Sequence, residues 1–269
     1  MRLSPTFWRD KSVIITGASS GIGRALARVL AAQQARVGLI ARREDRLQEV
    51  AAQIARDGGQ AAAAAADVTM RDQVCQAVAT LESNLGPCDV LIANAGVYRK
   101  TAAREFDVQR AELVVSTNLL GVIYAIGAVL PGMVQRRRGH VAAIASVGGM
   151  IGLPGAAAYC ASKQGVVTLL QSLRADLWQT GIRVTAVCPG FVDTPMITEE
   201  ERTTLRGLIS ADDAARRIAW AIERGRAEDW FPWWTAFEVR LARLLPPRLA
   251  ARILSRYPEM EETDAELKE

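Results

Sequence analysis

Along most of the chain, short runs of apolar and β-branched residues alternate with longer stretches whose apolar positions recur every three to four residues. A strand repeats its facing positions every two residues and a helix every 3.6, so the short runs read as strands and the long ones as helices. Residues 11–16 (KSVIIT) predict a first strand, followed by a glycine-rich turn and a helix over 25–34. Residues 36–40 predict a second strand and 45–56 a second helix. Residues 61–66 are all alanine, a poor strand former, and are assigned as a strand only from their place in the alternation. A helix over 71–85 and a strand over 90–93 follow. Next come a long helix over about 108–134, a strand over 141–146, a helix from about 156 to 180 stopped by Gly181, and a strand over 184–188. Ser210-Ala-Asp-Asp213 reads as a capping box opening a helix that ends at Gly225, and 230–232 predict a last strand.

Regular strand–helix alternation implies an α/β protein: one doubly wound parallel sheet with helices on both faces. Neither repeats nor linkers interrupt it, so residues 1–232 are expected to form one domain. Residues 233–258 then form an amphipathic helical extension, and 259–269 an acidic tail that reads as a disordered end.

Composition adds limits. Of 269 residues, 50% are hydrophobic and 23% charged, too apolar for extended disorder and typical of a soluble globular protein. The net charge of +4 is unevenly placed. Residues 259–269 hold six acids and one lysine, which leaves +9 on the rest, nearly all of it arginine. A basic chain can signal nucleic acid or an anionic membrane. Here the arginines are scattered and no nucleic-acid motif is present, so most read as solvated surface. Cys75, Cys88, Cys160 and Cys188 have no CxxC spacing and His140 is the one histidine, which argues against a metal site. The charged start does not read as a secretory signal, and a reducing, cytoplasmic location is expected. The charge-free stretches 113–135 and 141–162 are interrupted by Asn118, Gly121, Gly127 and Pro131, and by glycines and Pro154. They read as buried elements rather than membrane spans.

The turn after the first strand is Gly17-Ala-Ser19-Ser20-Gly21-Ile22-Gly23, a G-x-x-x-G-x-G spacing. Such glycines let the backbone turn sharply and approach a pyrophosphate, with the helix N-terminus offering free N–H groups. This differs from the G-x-G-x-x-G dinucleotide fingerprint. At the end of the second strand, an acid would bond the adenine ribose of NAD, whereas arginine pairs with a 2′-phosphate. Ala41 stands where the acid would be, followed by Arg42 and Arg43. Guanidinium matches phosphate bidentately, so NADP(H) is the expected cofactor.

Tyr159 and Lys163 lie four residues apart on a predicted helix and so share a face. An unperturbed phenol titrates near pH 10 and is a poor base at neutral pH. A nearby ammonium favours the phenolate, which makes Tyr159 a candidate general acid/base for an alcohol or carbonyl. Ser146, at the end of the fifth strand, could bond the same oxygen.

With these motifs in place, the sequence resembles a classical short-chain dehydrogenase/reductase. The matching segments are TGASSGIG at 16–23, Asp67-Val68, Asn94-Ala95-Gly96, Asn118, Ser146, Tyr159-x-x-x-Lys163 and Pro189-Gly190, in family order from residue 11 to about 225. The resemblance implies a single Rossmann-type domain. It also implies roles: Tyr159 as acid/base, Lys163 lowering its pKa and holding the nicotinamide ribose, Ser146 orienting the substrate, and Asn118 holding a proton-relay water. Asp67 and Val68 would flank adenine, Asn94 to Gly96 would line the adenine ribose wall, and Thr194, after Pro189, Gly190 and Val192, would reach the carboxamide. One departure stands out: many NADP-using relatives carry a basic residue inside the glycine turn, and Ala18-Ser19-Ser20 has none. Phosphate recognition would then rest on Arg42, helped by Arg43 and Ser19.

The family's substrate pocket is built from segments after strands five and six. Here those offer Met150 and Leu153, then Phe191, Met196 and Ile197, with 198–206 as an expected mobile lid. These side chains suit a hydrophobic carbonyl or secondary alcohol. By analogy a homo-oligomer is expected, with the helices over 108–134 and 156–180 as pairing surfaces. A nonenzymatic dinucleotide sensor or scaffold of the same fold is the rival, although it would need neither Tyr159 nor Lys163. The aromatic run Trp230-Phe-Pro-Trp-Trp234 and the arginines at 248, 252 and 256 leave three options for the extension: packing on protein, capping the pocket, or peripheral membrane contact through 230–256.

Overall fold

A computed structural model describes residues 3–205 and 207–256. The acidic stretch 259–269, the end of the extension at 257–258 and Arg206 of the expected lid lie outside the described residues. The elements alternate as the pattern predicts: β1 (Ser12–Thr16), α1 (Gly21–Ala32), β2 (Arg36–Ala41), α2 (Glu44–Arg56), β3 (Gln60–Ala65), α3 (Arg71–Leu85) and β4 (Val90–Ala93). Then come α4 (Val108–Val115), α5 (Gly121–Arg136), β5 (Gly139–Ile144), α6 (Ala157–Asp176) and β6 (Ile182–Pro189). The C-terminal part holds β7 (Val192–Asp193), α7 (Glu199–Thr204), β8 (Ile209–Ser210), α8 (Ala211–Glu223), β9 (Glu228–Phe231), α9 (Trp233–Arg243) and α10 (Pro247–Leu254).

Seven strands form one parallel sheet in the order β3-β2-β1-β4-β5-β6-β9. Successive strand residues point to opposite faces, so each strand feeds two cores. Val13, Ile15, Leu39 and Ile92 join α1, α2 and α8 on one face. Ile14, Ile40, Leu91 and Val141 join α3, α5 and α6 on the other. Each fully buried side chain of this kind contributes about 1.5–3 kcal/mol. The alanine strand β3 forms in full register with β2, so tertiary pairing overrides its weak propensity. On the last edge, Arg217 of α8 grips the buried carboxylate of Asp229 with two bonds of 2.6 and 2.7 Å, tying α8 to β9.

Four details differ from the pattern. Helix α1 begins at Gly21 rather than 25, because the turn glycines themselves make its first turn. The long helix contains one wide π turn at Ser116–Leu120 between α4 and α5. Helix α6 stops at Asp176, and Gln179 and Gly181 take left-handed φ of 63° and 87°. At Ser210 only half of the box forms: its hydroxyl caps the Asp213 N–H at 3.0 Å, while the Asp213 carboxylate bonds that hydroxyl and not the backbone. The complete capping box is at Thr198 and Glu201, where it opens the short helix α7 in the segment expected to act as a lid. The run Val108–Arg136 is long and apolar enough to cross a membrane by length and composition. Within this fold it packs on α3, β4 and β5.

His140, buried in β5, bears on acid stability. Thr185 donates its hydroxyl proton to Arg226 O at 2.6 Å, so His140 Nε2, 2.8 Å from that hydroxyl, is the donor of the pair. Nδ1 must then carry the titrating proton, and it has no partner among the described residues. Burial, helped by Arg183 and Lys11, pushes the His140 pKa from 6.5 down to about 3. The unfolded chain therefore takes up this proton first as pH falls, and stability is lost across that window at ~1.4 kcal/mol per pH unit. His140→Leu is expected to narrow its stability difference from wild type, or reverse it, on going from about pH 7 to pH 4 in urea denaturation. An equal difference at both pH values would exclude His140 as the titrating group.

Candidate active site

Strand order reverses between β1 and β4, where the chain leaves toward β2 on one side and returns on the other. In open α/β sheets that point leaves a crevice at the carboxyl ends of the strands. Here the crevice is a cleft of about 270 Å³.

Of the residues singled out in the sequence, Gly17, Ser19, Ser20, Gly21 and Ile22 line the cleft at the glycine turn. Arg42, Arg43, Asp67 and Val68 line one end, and Asn94, Ala95 and Gly96 the wall. Ser146, Leu153, Tyr159, Lys163, Pro189, Gly190, Phe191, Val192, Thr194, Met196 and Ile197 line the rest. Gly23, Asn118 and Met150 do not. Gly23 is a packing residue: a Cβ there would sit 2.2 Å from Gly17 O, so only glycine lets α1 meet the turn. Asn118 lies beneath the floor. Met150, whose N–H bonds Val147 O at 3.0 Å just after the Val147–Gly149 turn, is not among the lining residues, whereas Val147, Gly148 and the equally expected Leu153 are.

The glycine turn is built to receive an anion. Helix α1 has 12 residues, no acid in its first turn, and an N-cap, Ser20, that makes no side-chain capping bond. Its first N–H groups lack intrahelical partners and carry the positive end of the helix dipole. Thr16 Oγ1 accepts the N–H groups of Asn94 and Ala95 at 3.0 and 3.1 Å, and Asn94 Nδ2 donates to Thr16 O at 3.0 Å. These bonds lock the ends of β1 and β4 together under the turn. Arg43 lays its guanidinium on the turn, donating to Ser19 Oγ at 3.0 Å and Ser20 Oγ at 3.2 Å. These residues fit a dinucleotide: a helix terminus for the pyrophosphate and, beside it, two arginines.

At the other end, α6 carries Tyr159 half-buried and Lys163 buried. Lys163 Nζ sits 5.7 Å from the Tyr159 ring centre and donates to Ile144 O at 3.0 Å. Burial pushes the Lys163 pKa down from 10.5 to about 8, so at neutral pH it remains mainly an ammonium. A Cβ on Gly96 would come within 3.2 Å of that ammonium and 3.3 Å of Asn118 Oδ1, so a side chain there would press on both. Asn118, fully buried in the π turn, accepts Val97 N–H at 2.8 Å and donates to Val97 O at 3.0 Å and to Ser162 Oγ at 3.2 Å. Ser162 in turn donates to Tyr159 O at 2.7 Å. Asn118 therefore ties the β4 loop to the helix bearing Tyr159. Ser146, two residues past the end of β5 rather than within the strand predicted over 141–146, accepts Gly148 N–H on its Oγ at 3.1 Å and lines the cleft.

Tyr98 had no signal in the sequence beyond following Asn94-Ala95-Gly96. It is buried and meets the Tyr159 ring edge-on, centres 5.7 Å apart and planes at 78°. That edge-to-face contact helps hold the Tyr159 ring in place. Among the described residues, no group of three or more His, Cys, Asp or Glu could hold a metal ion.

Comparison with known proteins agrees with this geometry. Residues 11–205 match the short chain dehydrogenase family. An uncharacterized oxidoreductase of Myxococcus xanthus is 39% identical over 241 residues, covering 88% of this chain and 93% of that protein. An uncharacterized oxidoreductase of Mycobacterium tuberculosis is 38% identical over 248 residues, covering 90% and 96%. Among solved structures, a 3-oxoacyl-[acyl-carrier protein] reductase from Brucella melitensis superposes with a TM-score of 0.78 at 27% identity, over 86% of this chain and 92% of that one.

Proposed function

The chain belongs to the short-chain dehydrogenase family of oxidoreductases, and from that premise we propose that it uses NADP(H) to interconvert a hydrophobic carbonyl and its secondary alcohol. The observation that carries the reading is the ammonium of Lys163, buried beside the Tyr159 ring at the floor of a cleft that also holds Ser146 and the anion-receiving turn.

When bound, the nicotinamide cofactor supplies or takes the hydride. The chain's own residues manage position and protons. Ser146 orients the substrate oxygen. Tyr159 gives that oxygen a proton in reduction and removes it in oxidation. Lys163 stabilises the phenolate left behind, because a cation nearby lowers the energy of the charged phenol. Asn118, by holding Val97 and Ser162, keeps the Tyr159 helix against the floor, and a relay of the Tyr159 proton toward solvent would pass through this region. Asp67 and Val68 would border the adenine and Thr194 would hold the carboxamide; all three line the cleft.

The NADP assignment is supported by Ala41, Arg42 and the placement of Arg43. Although the glycine turn carries no basic residue, Arg43 lies over Ser19 and Ser20 and brings a guanidinium to that place from the next loop. The substrate assignment is supported by the apolar side chains Leu153, Phe191, Met196 and Ile197, which line the same cleft as Ser146, with Leu153 and Met196 packed in one cluster with Tyr159. A homodimer pairing through the helices over 108–134 and 156–180 is supported on the first of them by exposed Val108, Leu113, Leu120, Ile123 and Val134.

The test is NADPH consumption across a panel of long-chain, aromatic and steroid-like carbonyls. Turnover is expected with at least one hydrophobic ketone or aldehyde, and more weakly with small polar ones. Absence of turnover across the panel, with NADPH binding intact, would overturn the enzymatic reading and favour a dinucleotide sensor.

A further inference from the structure

Helix α9 wears its apolar side outward. Trp233, Phe237, Leu241 and Leu244 recur at helical spacing, and they are 72%, 61%, 55% and 81% exposed. The side turned inward is small: Ala236 is the buried residue, and the helix rests on β9 and on the Val147–Gly149 turn that follows Ser146. A soluble helix normally does the reverse. Helix α10 follows with no buried residue and with Leu249 and Ile253 44% and 40% exposed. A contiguous row of exposed large apolar side chains marks a docking surface.

The charge carried by α9 and α10 themselves selects the occupant; the acidic run at 259–269 lies outside the described residues. Residues 233–256 hold Arg240, Arg243, Arg248, Arg252 and Arg256 against a single acid, Glu238, and all six are exposed. A second copy of the same face would set arginines against arginines, so a symmetric pairing here is disfavoured. An occupant that is apolar within and anionic at its surface satisfies both features. Tryptophan settles at the boundary between headgroups and hydrocarbon, and arginine stems lie along apolar surface while their heads reach phosphate.

We propose that α9 and α10 form a lipid-docking face that binds this protein to an anionic membrane surface. The face adjoins the substrate cleft. Besides touching the turn after Ser146, α9 places Trp234 against the loop behind α7, where a Cβ on Gly207 would lie 3.3 Å from Trp234 Nε1. Docking would set the cleft near the interface where apolar carbonyls collect. That last link rests on the proposed function, whereas docking itself does not.

The experiment is co-sedimentation of the full chain with vesicles of phosphatidylcholine alone and of phosphatidylcholine with phosphatidylglycerol, with sedimentation velocity and NADPH binding measured in parallel. Wild type is expected to bind the phosphatidylglycerol vesicles, weakly the neutral ones, and less as salt rises. Trp233→Ser with Phe237→Ser should remove vesicle binding and leave NADPH binding unchanged. Each of Arg240→Gln, Arg243→Gln and Arg252→Gln should weaken it about fivefold. Failure to bind either vesicle would overturn the proposal, as would equal binding to both. So would a Trp233/Phe237 variant that keeps vesicle binding but changes the oligomeric state. Because vesicle and NADPH binding are read without turnover, failure of the docking proposal is separable from failure of the enzymatic one.

Discussion

Tyr159→Phe is expected to cut turnover by about a hundredfold to ten-thousandfold, the usual range for removing a positioned acid/base. The substitution deletes one oxygen and keeps the ring. The edge-on contact with Tyr98 and the place of the ring beside Lys163 should both persist, so NADPH binding, read by its fluorescence, should stay near wild type. Lys163→Met should act differently. It removes a buried ammonium whose pKa burial has already brought down to about 8, and with it the group that favours the phenolate. Both turnover and cofactor affinity should fall, and the alkaline rise in alcohol oxidation should move to higher pH. A Tyr159→Phe protein that keeps more than a tenth of wild-type turnover would rule out Tyr159 as the acid/base.

Much of this arrangement was legible in the sequence, for a physical reason. Parallel strands buried on both faces need continuous apolar runs, so β1, β2, β4, β5 and β6 announce themselves. Gly17 and Gly23 stand where backbone touches backbone: a Cβ on Gly17 would lie 2.7 Å from Ala95 Cα, and one on Gly23 would lie 2.2 Å from Gly17 O, so no other residue fits. Tyr159 and Lys163 were readable because helical spacing alone sets them on one face. What was hidden depends on partners distant in sequence. Strand β3 is readable only from its place in the alternation, because a run of alanines has little strand propensity and β2 supplies its ladder. The π turn at Ser116–Leu120 has no compositional mark, and its role appears only when Asn118 is seen bonded to Val97 and Ser162. Tyr98 shows its place only once folding sets it against Tyr159. At the C-terminus, periodicity showed amphipathic helices without telling which face meets water, and on α9 the apolar face does.

Arg42→Ala should raise the KM for NADPH by about ten- to a hundredfold while leaving the KM for NADH within about twofold. This follows if the guanidinium contributes about 1.5–3 kcal/mol through charged hydrogen bonds to a 2′-phosphate that NADH lacks. Arg43 is the nearest substitute. Its bonds to Ser19 and Ser20 hold it over the turn, so it should retain part of the preference in the single variant. The double change Arg42→Ala with Arg43→Ala should then erase most of that preference. Ala41 offers the converse test. It ends β2, with the cleft beside it, and Ala41→Asp would set a carboxylate where the ribose diol of NADH could be bonded and a phosphate repelled. That variant should improve NADH and impair NADPH, with the opposite movements visible in one assay. If Arg42→Ala instead shifts both constants equally, the arginine serves the fold of the β2–α2 loop and the cofactor preference lies elsewhere. If Ala41→Asp leaves the ratio unchanged, the end of β2 does not face the adenine ribose at all.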